Sequence, residues 1–182
     1  MQNRQSRAVT TQEKVILPNT LKIKLLRFFM TNNDILRRLR YALNLKNEDM
    51  IRLFLQAGRP MTPADLDLLL KKEDEPGWIE CPDPLLQSFL DGLILERRGP
   101  RDSSPGEDVL DNNTILRKIR IALEIKDTDM LAILAAGGMN VSKNELTALF
   151  RKPGHRNYMR CQDQLLKKFL KGLTVTSREE LR

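Results

Sequence analysis

Apolar residues recur at helical spacing along most of the chain. Three helices are predicted between residues 44 and 93: Asn47 caps the first, Thr62 caps the second with Pro63 at its first position, and Asp83 opens the third. An earlier helix is predicted over about residues 33–43, because five apolar residues fall on one of its faces: Ile35, Leu36, Leu39, Ala42 and Leu43.

The chain is an internal duplication. Residues 112–123 repeat residues 32–43, 80 positions earlier, and the correspondence continues without a gap to residue 173. Of the 62 paired positions 23 are identical, and most of these are apolar or turn residues, as a shared helical core requires. The sequence therefore predicts an all-α fold of two tandem, duplicated four-helix units.

The duplication divides the chain into five parts. The residues before Met30 are expected to lie outside the core, either as a docking extension or because Met30 is the natural start. The predicted parts are a basic N-terminal extension at 1–31, a first repeat at 32–93, a flexible linker rich in Gly, Pro and Ser at 94–111, a second repeat at 112–173 and a C-terminal tail at 174–182.

Each repeat contains two helices joined by a short turn with a glycine, which resembles a helix-turn-helix. The pair spans residues 50–58 and 62–72 in the first repeat, and residues 130–138 and 142–152 in the second. Any two capped helices joined by a glycine turn share these features. The pairs are therefore helix-turn-helix-like, and the pattern alone does not assign DNA binding.

Charge is distributed unevenly between the repeats. The chain carries a formal charge of +7, to which residues 32–93 contribute −3 and residues 112–173 contribute +7. A concentration of cations attracts the phosphate backbone of nucleic acid. The sequence predicts that a surface for RNA or DNA is formed by Lys143, Arg151, Lys152, His155, Arg156, Arg160, Lys167, Lys168 and Lys171.

The alternative function is a protein-interaction or regulatory adaptor. The acidic first repeat and the basic second repeat would then dock against each other or against other subunits. Lysines also solvate helix faces in proteins of any function, and no base-reading motif accompanies the charge. Nucleic acid and protein are both candidate partners.

Arginine and aspartate recur at equivalent positions of the two repeats. An arginine at the edge of an apolar helix face can reach an aspartate at the start of another helix. We predict structural ion pairs of Arg40 with Asp49 or Asp83, and of Arg120 with Asp129 or Asp163.

No catalytic or metal-binding pattern stands out. His155 is the only histidine, and an enzyme that uses Cys161 with His155 is a third interpretation without a supporting nucleophile motif. The chain has no glycine-rich phosphate loop and no paired metal-ligand spacing. The sequence predicts a protein that is not an enzyme, without metal, cofactor or evident small-molecule substrate.

Two further pairs of equivalent residues predict structure. Cys81 and Cys161 are expected to be small buried residues. Gly92 and Gly172 lie inside helices, which predicts that another helix approaches closely there. With two cysteines, no secretory signal and no membrane-spanning run, the protein is expected in a reducing cytoplasm.

Several motifs resemble those of a known family. They include residues 33–37 (Asn-Asp-Ile-Leu-Arg), 81–83 (Cys-Pro-Asp), 89–93 (Phe-Leu-Asp-Gly-Leu) and 153–157 (Pro-Gly-His-Arg-Asn). Over about residues 30–173 the chain resembles the YehS-like family of uncharacterised bacterial proteins, which carry a tandem domain of unknown function. The resemblance implies a bacterial cytoplasmic protein and supplies no catalytic residues.

Overall fold

The structure, a computed structural model, describes residues 30–100 and 109–179. Within these ranges every regular element is an α-helix, which confirms the all-α fold. The helices are α1 (Asn32–Ala42), α2 (Asn47–Gln56), α3 (Pro63–Leu70), α4 (Asp83–Arg98), α5 (Asn112–Ala122), α6 (Asp127–Ala136), α7 (Lys143–Leu149) and α8 (Asp163–Glu179).

Polar side chains at the helix starts fix where the helices begin. The predicted caps Thr62 and Ser142 are confirmed: each hydroxyl accepts a hydrogen bond from the backbone N–H three residues later, at 3.2 Å. The predicted cap Asn47 is wrong. Lys46 occupies the cap position, and its backbone N–H donates to the carboxylate of Asp49 at 2.9 Å. The aspartate inside the first turn therefore replaces a capping side chain.

The predicted apolar face of α1 lies in the core. Ile35, Leu36 and Leu39 are at most 2% exposed, and they pack in the same cluster as Phe54 of α2 and Phe89 of α4. The two phenylalanine rings lie 5.5 Å apart, centroid to centroid. The helical periodicity of the sequence thus identifies the buried stripe correctly.

Glycine allows helices to cross at backbone contact in both repeats. A β-carbon on Gly92 would lie 1.9 Å from the carbonyl oxygen of Leu53, and one on Gly172 would lie 1.7 Å from the carbonyl oxygen of Ile133. The close approach of α4 to α2, and of α8 to α6, is therefore confirmed. In the second repeat, a β-carbon on Gly137 would lie 2.0 Å from the carbonyl oxygen of Lys168.

The two repeats pack through an exchange of neighbours. The first helix of each repeat lies along the last helix of the other, so α1 contacts α8 and α5 contacts α4. Buried residues of both repeats form one hydrophobic cluster. Lys118 of α5 also forms an ion pair with Asp91 of α4, with side chains 13% and 25% exposed. The repeats therefore pack reciprocally around one core rather than forming two independent domains.

Two helices extend beyond the predicted repeat ends. Residues 94–98 continue α4, and residues 174–179 continue α8, so these parts of the predicted linker and tail are helical. Ile94 explains the first extension, because it packs against the core. The extension before Met30, the linker residues 101–108 and the tail residues 180–182 lie outside the described residues.

Candidate functional site

The nine predicted nucleic-acid-binding residues lie on α7, on α8 and on the turn between them. Lys143 is the first residue of α7, and Lys167, Lys168 and Lys171 lie on α8. The turn carries Arg151, Lys152, His155, Arg156 and Arg160. We call these nine residues the basic surface.

Most of the basic surface faces solvent. Arg151, Lys167 and Lys168 are half-buried. The exposed members are Lys143, Lys152, His155, Arg156, Arg160 and Lys171.

A buried asparagine holds the basic turn in place. The amide of Asn113, 3% exposed, donates to the carbonyl oxygens of Leu149 at 2.8 Å and Met159 at 2.9 Å. Its oxygen accepts from the backbone N–H of Cys161 at 2.8 Å and from the hydroxyl of Tyr158 at 3.0 Å. One side chain on α5 therefore fixes both ends of the turn.

The role of Asn113 in holding the turn was not predicted from the sequence. Asn33 makes the same three backbone contacts in the first repeat, to Leu69, Ile79 and Cys81, and is fully buried. The identity of Asn33 and Asn113 is visible in the duplication, but a pattern of apolar residues does not indicate what a buried asparagine bonds.

Most residues of the basic surface have no carboxylate partner among the described residues. Lys167 makes an interaction of its own, and the other eight residues form no ion pair with a carboxylate of the described residues. The ammonium group of Lys168 lies next to Gly138, which follows the end of α6. A cation there is favoured by the partial negative charge of the helix C-terminus.

The first repeat lacks this surface. Lys71 and Lys72 are its only two cations at the nine equivalent positions. The other seven are Pro63, Glu75, Pro76, Glu80, Gln87, Ser88 and Asp91. The shared backbone therefore carries cations at these positions chiefly in the second repeat.

The predicted arginine–aspartate pairs are wrong. Arg120 pairs with Asp127 at 2.7 Å, rather than with Asp129 or Asp163, because α6 begins at Asp127 and brings that carboxylate to α5. Its guanidinium also lies 4.6 Å from the centroid of the Phe150 ring. The aspartates predicted as its partners instead bond backbone and amide groups: Asp129 accepts from Lys126 N–H at 3.2 Å and Asp163 accepts from Asn112 at 2.7 Å.

The first repeat departs further from the predicted pairing. Within the described residues Arg40 has no carboxylate partner, and its Nε atom is buried without a hydrogen bond. Asp49 instead pairs with Arg52 at 2.8 Å, and Asp83 accepts from Asn32 at 2.7 Å. Asp49 is held by an arginine of its own helix and Asp83 by the first residue of α1, which leaves Arg40 without a carboxylate.

The two cysteines are buried, as predicted. Cys81 and Cys161 are 1% and 2% exposed, and both are free thiols. Burial, together with nearby aspartates, raises the pKa of each thiol to about 12. His155 is exposed, and its Nδ1 accepts from the backbone N–H of Asn157 at 3.1 Å. This arrangement disfavours the thiolate that a Cys161–His155 reaction would need.

Three cavities lie at the contacts between the repeats. One of ≈ 590 Å³ is bordered by Arg97, Glu124 and Asp129, and two of ≈ 370 Å³ and ≈ 350 Å³ occupy equivalent places beside α1 and α5. None of these three includes a residue of the basic surface. In the described parts of the chain, no three metal-ligating side chains come together and no helix is long and apolar enough to cross a membrane.

Comparison with known proteins identifies relatives of the chain. A family model described as "Protein of unknown function (DUF1456)" matches residues 32–99 and again residues 112–179. The chain is 44% identical over 149 residues to "Uncharacterized protein YehS" of Escherichia coli strain K12, which covers 80% of the chain and 96% of that protein. No solved structure matches.

Proposed function

The chain belongs to the DUF1456 family, and we propose that it is a non-enzymatic protein that binds nucleic acid through its basic surface. The observation that carries the proposal is the unneutralised charge of Arg156 and Arg160 within that surface. Arg156 and Arg160 are exposed and form no ion pair with described carboxylates, and the turn that holds them is fixed by Asn113. A rigid, uncompensated group of cations is favourable for phosphate binding, since little is lost in ordering it.

The geometry favours contact with the phosphate backbone over base reading. Helix α7 has seven residues, which gives it a length of roughly 10 Å. Its connection to α6 spans residues 137–142, longer than the three or four residues of a helix-turn-helix. The proposed ligand is therefore RNA or DNA recognised by charge, with little dependence on base sequence.

A specific contact favours the adaptor function as a second candidate. The Lys118–Asp91 ion pair joins the basic second repeat to the acidic first repeat. Charge asymmetry can therefore serve docking between repeats, as it could between subunits. Neither residue belongs to the basic surface, so this contact leaves the nine positions available to a ligand.

The state of the thiols supports two further parts of the proposal. A thiol with a pKa of about 12 is a poor nucleophile at neutral pH, which supports a binding protein rather than a cysteine enzyme. Two free cysteines fit a reducing compartment, which supports the proposal that the protein is cytoplasmic.

Nucleic-acid binding by charge-reversed variants tests the proposal. The test variant is Arg156→Glu with Arg160→Glu, and the control variant is Arg59→Glu with Lys72→Glu, which removes the same charge from exposed sites of the first repeat. Glutamate is tolerated at position 160, because Glu80 occupies the equivalent position. Affinities for single-stranded RNA and duplex DNA are measured by fluorescence anisotropy at two salt concentrations.

The expected result is a loss of about tenfold or more in affinity for the test variant at low salt and less than about threefold for the control. Circular dichroism should show that both variants remain helical. Equal losses in the two variants would show that net charge, and not the basic surface, governs binding. Negligible binding by the unmodified protein at low salt would remove the nucleic-acid function, and pull-down from nuclease-treated extract would then address the adaptor.

A further inference from the structure

The strongest unassigned feature is a pocket that both repeats build. Helix α1 and the end of α8 border an open pocket of ≈ 370 Å³. Arg37 and Arg40 reach it from α1, and Arg178 reaches it from α8. Among the described residues no acid lines it; the remaining lining residues are Tyr41, Asn44, Leu45 and Leu70. We call it the arginine pocket.

Two of its three arginines are held by contacts within the fold. The Arg178 guanidinium stacks 3.6 Å from the centroid of the Tyr41 ring and donates to the Tyr41 carbonyl oxygen at 3.4 Å. Arg37 pairs with Asp34 at 2.6 Å and donates to the carbonyl oxygen of Lys71. Arg37 and Arg178 are therefore positioned at the pocket before any ligand arrives.

The equivalent pocket of the other repeat shows how such a site is neutralised internally. It has nearly the same volume, ≈ 350 Å³, and is built from α5 and the end of α4. There Arg120 pairs with Asp127 at 2.7 Å, and Arg98 pairs with Glu124 at 3.5 Å. The ring of Phe150 also lies against the guanidinium of Arg120. Each of these two arginines has a carboxylate of its own.

The arginine pocket has lost each of those partners while it keeps the cations. Asn44, Asn47 and Leu70 stand at the positions of Glu124, Asp127 and Phe150. Arg40 Nε is buried without a hydrogen bond, whereas its counterpart on Arg120 donates to the carbonyl oxygen of Ile125 at 3.2 Å, and the Oδ1 atom of Asn47 is buried without a partner as well. A buried, unpaired guanidinium nitrogen is unfavourable, so its retention indicates that an external acceptor completes it.

We propose that the arginine pocket binds the phosphate group of a small phosphorylated molecule. Guanidinium groups present parallel donors that match phosphate oxygens, and Arg40 and Arg178, which have no carboxylate partner among the described residues, balance a doubly charged group. A cavity of ≈ 370 Å³ holds a phosphate together with a small organic part. The site is independent of the basic surface, because none of those nine residues lines it.

The first test is thermal unfolding in the presence of inorganic phosphate, with ionic strength held constant by sodium chloride. At about 100 times the dissociation constant, phosphate should raise the Tm of the unmodified protein by roughly 5 °C or more. Arg40→Gln should abolish the shift. The matched control is Arg120→Gln, which changes the equivalent residue of the neutralised pocket; it should lower the Tm but keep the phosphate-dependent rise.

A second variant tests the proposal even if Arg40→Gln does not fold. Asn44→Glu with Asn47→Asp gives the arginine pocket the two carboxylates that its counterpart carries, so the fold is expected to accept both changes. This variant should have a raised Tm without phosphate and no further rise with it. If it still responds to phosphate as the unmodified protein does, or if the unmodified protein does not respond at millimolar phosphate, the proposal is wrong.

The source of the phosphate group is distinguished by competition. Glycerol phosphate and a 5′-phosphorylated trinucleotide are titrated separately against the phosphate-loaded protein, with the unphosphorylated trinucleotide as control. Stronger displacement by glycerol phosphate supports a small molecule. Displacement by the trinucleotide only, with or without its phosphate, would overturn the proposal, because the site would then recognise nucleic acid rather than a small phosphorylated molecule.

Discussion

The carbonyl oxygen of Ile133 lies 1.7 Å from the place where a β-carbon on Gly172 would be. The obstacle is backbone, so rotation of a side chain cannot relieve it. Leu53 and Gly92 repeat the relationship at 1.9 Å in the first repeat. The position of α8, and of the lysines that it carries, therefore depends on a residue without a side chain.

Alanine at either glycine should destabilise the fold. We expect Gly172→Ala and Gly92→Ala each to lower the free energy of unfolding by about 3 kcal/mol or more, although alanine favours an isolated helix by about 1 kcal/mol. Urea denaturation measures the change. Lys171→Ala, at the exposed neighbour of Gly172, should change it by less than about 0.5 kcal/mol. A neutral Gly172→Ala would contradict the close crossing.

Removing the buried asparagine should loosen the basic turn. Asn113→Ala leaves the carbonyl oxygens of Leu149 and Met159 and the N–H of Cys161 without their partner. We expect a loss of about 3 kcal/mol or more in stability, since each unsatisfied buried group costs about 1–3 kcal/mol. Hydrogen exchange should show faster exchange at Cys161. Unchanged protection there would show that Asn113 does not hold the turn.

The parts of the fold that can be predicted from the sequence are those whose cause lies within a single repeat. Periodicity identifies the face of α1, and the duplication identifies the glycine crossings, because both signals lie within the pattern of one repeat. The contacts of α1 with α8 and of α5 with α4 could not be predicted, since no pattern within one repeat indicates them. That arrangement is long-range and emerges only when the two repeats bury their faces together.

The candidate sites show the same division. The cations of the basic surface are visible in the sequence, and Arg156 and Arg160 are exposed. Their role in binding stays a prediction. The predicted ion pairs of Arg40 and Arg120 are wrong. Several aspartates of the sequence are plausible partners for Arg120, and only the packing of the helices selects Asp127. The arginine pocket was missed, since Arg178 joins it from the other repeat.

The ion pair between the repeats should show coupling. In a double-mutant cycle with Asp91→Ala and Lys118→Ala, we expect a coupling free energy of about 1–2 kcal/mol, since both side chains are less than a third exposed. The equivalent pair, Arg38 and Lys171, consists of two cations and serves as the control. Its cycle should show no favourable coupling. Equal coupling in both cycles would mean that the Lys118–Asp91 contact is not specific.

The buried thiols should make stability depend on alkaline pH. Their pKa is about 12 in the folded protein and 9.0 when unperturbed, so the folded state keeps the proton longer. The resulting stabilisation is complete below pH 9 and is lost as the pH rises from 9 towards 12. Cys81→Ala with Cys161→Ala should reduce this part of the pH dependence in urea denaturation.

Reactivity gives a second measure of the same burial. With an aromatic disulfide reagent at pH 8, the two thiols of the native protein should react slowly and those of the urea-unfolded protein at once. Rapid reaction of the native protein would contradict the burial of Cys81 and Cys161.

The salt dependence of duplex DNA affinity tests the basic surface most directly. If at least four of its cations neutralise phosphates, the logarithm of the association constant should fall against the logarithm of salt concentration with a slope of about −3.6 or steeper. Arg156→Glu with Arg160→Glu should make that slope shallower by about 1.8, the contribution of two phosphate contacts. A slope near zero, or the same slope in this variant, would contradict binding through the basic surface.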